Sequence, residues 1–75
     1  MNWTGTKKQK ETITNDGYHL IIKLVNDSSY TWLVSFKGKL IERFKNKPIF
    51  KDSIPRAKRQ AIRLMVWHMQ KKQIN

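Results

Sequence analysis

The sequence contains no cysteine, so no disulfide can staple the fold and no thiolate can serve as nucleophile or metal ligand. A structural zinc would have to rest on His19 and His68, which lack the close spacing of a metal-binding pair. Cysteine usage makes no demand for an oxidising compartment, and the expected location is the cytoplasm. Glycine is scarce, at three residues, and no glycine-rich loop is present to cradle a phosphate. Acidic residues number only five, and no two cluster as a catalytic pair would. Asp16 and Asp27 lie in turn-forming stretches, Asp52 stands just before an expected helix, and Glu11 and Glu42 are isolated. No apolar run approaches the roughly 20 residues that span a bilayer. The start, Met1 to Thr6, has no apolar segment like that of a signal peptide. The expectation is a protein that is not an enzyme, needs no cofactor or metal, and does not engage a membrane.

What remains is a 75-residue chain, 39% hydrophobic, with sixteen basic residues and a net charge of +11. That length and apolar content suit one small domain with one modest core. The charge density makes the chain repel itself, and an acidic partner would relieve that repulsion. Its geography is uneven. Residues 1–52 carry ten bases and all five acids, whereas residues 53–75 carry six bases and no acid.

Along the chain, residues 1–10 hold Lys7, Lys8 and Lys10 among Gly, Thr and Gln, and read as a flexible basic arm whose only large apolar group is Trp3. Strand signals follow. Glu11–Thr14 is a short β-prone piece, and Asn15-Asp16-Gly17 is a turn. Residues 18–25 alternate, with Tyr18, Leu20, Ile22 and Leu24 on one face and His19, Ile21, Lys23 and Val25 on the other. Residues 30–36 place Tyr30, Trp32, Val34 and Phe36 opposite Thr31, Leu33 and Ser35. Lys37-Gly38-Lys39 forms a tight hairpin, after which Leu40, Glu42 and Phe44 are expected on the core face and Ile41, Arg43 and Lys45 on the other. Pro48 ends the sheet. Ser53 caps a helix in which Pro55 is tolerated in the first turn, and nothing breaks it from Arg56 to about Lys72. The predicted fold is α+β: an antiparallel meander of three strands, or four with Glu11–Thr14, packed by one C-terminal α-helix within residues 11–75.

At about 100° per residue, Ile54, Ala57, Ala61, Leu64, Met65, His68 and Met69 form the sheet-facing stripe, with Ile62 at its border. Arg56, Arg59, Arg63 and Gln70 stack on the opposite side, with Trp67 beside them and Lys71 nearby. Within the helix these cations have no acidic i,i+4 partner, so helix stability does not account for their placement. Lys71 and Lys72 need no further reason, because cations suit a helix C-terminus. His68 falls within the apolar stripe and reads as a packed histidine.

The outer sheet face is expected to hold His19, Ile21, Lys23, Thr31, Leu33, Ser35, Arg43 and Lys45, ringed by Lys37, Lys39, Lys47 and Lys51. Basic and hydroxyl groups on a sheet can reach bases and phosphates in a DNA groove. Trp32 on the middle strand, the Gly38 hairpin, and Phe50 ahead of Ser53, Ala57 and Ala61 together resemble two families: the arm-binding domains of tyrosine integrases and the plant ethylene-response-factor DNA-binding domain. That resemblance implies DNA binding through the sheet face away from the helix, with Lys23, Thr31, Ser35, Arg43 and Lys45 toward DNA. The small, basic, cysteine-free format is also similar to accessory proteins of phages and mobile elements, which often bind and inhibit a host protein or ribonucleoprotein.

Two functional expectations follow. The first is a nucleic-acid-binding protein, for DNA in preference to RNA, using Lys23, Thr31, Ser35, Lys37, Lys39, Arg43 and Lys45 on the sheet and Arg56, Arg59, Arg63 and Trp67 on the helix. The second is an inhibitor or adaptor whose arginine row and Trp67 dock on an acidic host protein or ribonucleoprotein.

Overall fold

The structure is a computed structural model that describes residues 2–26, 29–41, 50–51 and 54–74. Among these residues the chain forms strands β1 (Thr4–Gly5), β2 (Gln9–Ile13), β3 (Tyr18–Asn26), β4 (Ser29–Phe36), β5 (Lys39–Leu40) and β6 (Phe50–Lys51), then helix α1 (Ile54–Ile74). All pairings are antiparallel. The order is β1-β2-β3-β4-β5, with β6 also pairing β4. The α+β class and the C-terminal helix agree with the sequence reading, but the sheet is larger than three or four strands.

β3 and β4 are the long central pair because their residues alternate cleanly and are rich in β-branched and aromatic types. Their register sets Leu20 opposite Val34 and Ile22 opposite Trp32. Cross-strand partners share a face, so these four line one side, and α1 lies over them. Tyr18, Leu20, Ile22, Trp32 and Val34 are buried there with Ala57, Ala61 and Met65 of the helix. Ala57 and Ala61, both 0% exposed, are four residues apart on one helix face. Their small side chains let the helix backbone approach the sheet closely.

Within the stretch expected as an arm over residues 1–10, Thr4–Gly5 and Gln9–Lys10 are strand residues of the sheet. Thr4 and Gly5 pair with Glu11 and Lys10, which are themselves paired to β3. The physical reason lies in Trp3 and Gly5. Trp3 packs against the core, with the Lys58 ammonium 5.2 Å from its ring centre. Gly5 takes φ +116, and a Cβ there would sit 2.2 Å from the Gln9 carbonyl oxygen. Only glycine fits that turn back into β2.

A second correction concerns the hairpin after β4. Lys37 and Gly38 both have positive φ, 50 and 84, the signature of a two-residue hairpin turn. That turn sets Phe36 opposite Lys39 and Ser35 opposite Leu40. Leu40 therefore shares the outer face with Ser35 and is 47% exposed, while Ile41, bonded to the Val34 carbonyl, packs against the core. The expectation had these two faces exchanged. The expected core position Phe44 lies outside the described residues.

Candidate nucleic-acid interface

The sequence-predicted site residues divide between two surfaces on opposite sides of the sheet. On the outer sheet face, Lys23 is exposed and sits opposite Thr31, while Ser35 lies opposite His19; Thr31 and Ser35 are half-buried. Lys37 occupies the turn, with its ammonium 5.2 Å from the Phe36 ring centre. Lys39 pairs with Phe36, which puts it on the helix side of the sheet. Arg43 and Lys45, like Lys47, lie outside the described residues.

The outer face is more apolar than expected among the described residues. Ile13 is 71% exposed, Val25 50% and Leu40 47%. Among the described residues its one acid, Glu11, accepts a hydrogen bond from His19 Nε2 at 2.9 Å when that nitrogen carries a proton. The described register places Lys23 there opposite Thr31, and Lys51 opposite Ser29.

The helix carries the contrast. Arg56, Arg59 and Arg63 are all exposed on α1, and α1 has no acidic residue. Arg59 and Arg63 make no ion pair among the described residues. The three recur at spacings of three and four residues and so stand along one side of the helix. Beside them runs a groove of about 500 Å³, lined by Trp32 of β4 and by Gln60, Ile62, Arg63, Leu64, Val66, Trp67 and Gln70 of α1. Trp32, 7% exposed on β4, makes its floor. Trp67 is half-buried on its wall, with the Lys71 ammonium 5.2 Å from the ring centre. Trp32 was expected only as a core residue, and Gln60 was not singled out. The spacing 60, 63, 67, 70 was the available signal, since it marks one helix flank.

At the far end of α1 a second cluster fixes the helix to the sheet. The hydroxyl of Tyr18 donates to Nδ1 of His68 at 2.7 Å, the neutral tautomer with its proton on Nε2 serving as acceptor. The Tyr18 and Phe36 rings stand 4.6 Å apart, and Lys72 Nζ lies 3.7 Å from the Phe36 ring centre. Burial, then the charges of Lys72 and Lys71, hold the His68 pKa below its ordinary 6.5. Burial, then Asp16, raises the Tyr18 phenol. Both groups are thereby kept neutral. His68 in the unfolded chain takes a proton near its ordinary pKa, and folded His68 only at lower pH. Its stabilising effect is complete above 6.5 and is lost as pH falls below that value. Urea midpoints at about pH 5 should lie below those at about pH 7.5, and the difference should shrink in H68Q, which keeps an acceptor but does not titrate. An undiminished difference in H68Q would assign the pH dependence elsewhere.

Among the described residues no three His, Cys, Asp or Glu side chains come together as a metal site, and no helix is long and apolar enough to cross a membrane. No family model, curated protein or solved structure matches the chain. The site must be read from its own residues.

Proposed function

We propose that the protein binds nucleic acid, with DNA as the first candidate, through the arginine-lined flank of α1 rather than through the outer sheet face. One observation carries this reading. Three exposed arginines stand in a row on an acid-free helix, next to a groove walled by tryptophan. Guanidinium groups suit phosphate because their donors form a planar fork. Arg59 and Arg63, four residues apart with no ion pair among the described residues, repel each other along the helix, and a phosphate backbone supplies a neutralising charge. Lys71, in the last turn and against the Trp67 ring, extends the positive surface along the same flank.

Phosphate neutralisation has a measurable signature. Three contacts give a slope of log K against log salt of about −3 for duplex and about −2 for a single strand. Raising salt from about 50 to about 200 mM should therefore weaken binding roughly 20-fold to 40-fold, read by gel shift. Binding that ignores salt, or none to either form near 100 mM, would overturn the reading. A pull-down from lysate treated with nuclease provides the other arm. A protein partner that survives nuclease would shift the assignment to an adaptor using the same arginines on an acidic surface.

A further inference from the structure

From this reading we infer that the groove between α1 and β4 is a pocket for one unpaired base, so that the favoured ligand is single-stranded nucleic acid. The groove is walled by the half-buried indole of Trp67 and floored by Trp32. An aromatic wall accepts any base by stacking, because every base has a π-face. Gln60 and Gln70 lie on the same helix flank, and each offers one carbonyl acceptor and two N–H donors to a base edge. Arg63 lines the groove as well, and Lys71 sits against the Trp67 ring, so cations flank the pocket on both sides along the helix. Phosphates on either side of a stacked base would meet them.

A duplex does not suit this arrangement. Its bases are stacked on each other and present only edges in the grooves, so an indole recessed on a helix flank cannot reach a base face. The arginine row spans about 10 Å from Arg56 to Arg63, at 1.5 Å per residue. That is the length of a few nucleotides, which matches a site that grips phosphates and receives one base.

The third tryptophan supplies an internal control. Lys58 packs on Trp3, and Lys58 and Trp67 are nine residues apart, which turns the helix by about 900°, or half a turn net. Trp3 therefore lies on the opposite flank from the groove.

The test uses the whole protein, a 12-mer of oligo-deoxythymidylate, and a blunt duplex of the same length. Expected results are tighter binding of the single strand, quenching of tryptophan fluorescence, and shifts of the Trp67 and Trp32 indole N–H resonances while Trp3 stays in place. Trp67→Leu should lose about tenfold in single-strand affinity, and Trp67→Phe should retain most of it. The inference is overturned if duplex binds as tightly as the single strand, or if the Trp67 resonance of the unaltered protein does not move on saturation. In both cases nucleic-acid binding itself stands. If neither probe binds, the proposed function falls, and this inference with it.

Discussion

Reversing two charges, in the double variant Arg59→Glu/Arg63→Glu, should reduce nucleic-acid affinity by about a hundredfold or more while leaving the fold intact. Each guanidinium–phosphate contact is a charge-assisted hydrogen bond worth about 1.5 kcal/mol or more, and each 1.4 kcal/mol is a factor of ten. Losing two such contacts accounts for roughly two orders of magnitude, and the new carboxylates add repulsion. Both side chains are exposed and neither has an ion-pair partner among the described residues. Substitutions at such positions usually change stability by no more than about 0.5 kcal/mol. The variant should melt within a few degrees of the parent, a check by circular dichroism that separates lost binding from lost folding. Lys23→Glu on the outer sheet face is the matched comparison. If Lys23→Glu abolishes binding and the arginine pair does not, the sheet face is the interface and the helix assignment is wrong.

Leu20→Ala should remove about 2–5 kcal/mol of stability. Leu20 is 0% exposed, paired with Thr12 on one side and Val34 on the other, and roofed by α1. No neighbour has room to collapse into the space, because both flanking strands are fixed by their ladders. A 75-residue domain has total stability on the order of 4–11 kcal/mol, so this one change takes roughly half. The urea midpoint should fall by about 2 M or more. Ile13→Ala, one position along from Thr12 but on the outer face and 71% exposed, should move it hardly at all. Equal effects of the two would mean that the helix does not cover the face containing Leu20.

Much of this architecture is legible from the residues. The alternation through Tyr18, Leu20 and Ile22, and through Trp32 and Val34, fixes which side of the sheet is buried, because a strand has a period of two. Ala57, Ala61 and Met65 mark the helix face that meets it, because the helix repeats every 3.6 residues. The difficulties arise where geometry depends on a single torsion or on a distant partner. Leu40 and Ile41 exchange faces because the turn at Lys37 and Gly38 is two residues long, and a one-residue difference in turn length inverts every later side chain. Residues 4–10 have too little apolar alternation to announce strands. They pair because Trp3 anchors one end and Gly5 permits the reversal. The helix flank of the groove shows in the spacing 60, 63, 67, 70, but its meeting with the sheet does not, since Trp32 and Trp67 belong to a strand and a helix that the chain order keeps apart. Each alone reads as a core residue or a surface one.

The placement of α1 after every strand has a consequence for synthesis. Ribosomes deliver the chain from its N-terminus, at about 5–20 residues per second. The strands from Thr4 to Phe36 emerge before the helix that covers them. During that interval the side chains of Tyr18, Leu20, Ile22, Trp32 and Val34 have no roof, and the bond from Tyr18 to His68 joins residues 50 positions apart. The nascent sheet presents an apolar face bordered by lysines, which favour solubility while the face is bare. The helix made after these strands is therefore both the lid of the core and the carrier of the arginines, so the arginine-lined flank and the closed fold are completed together.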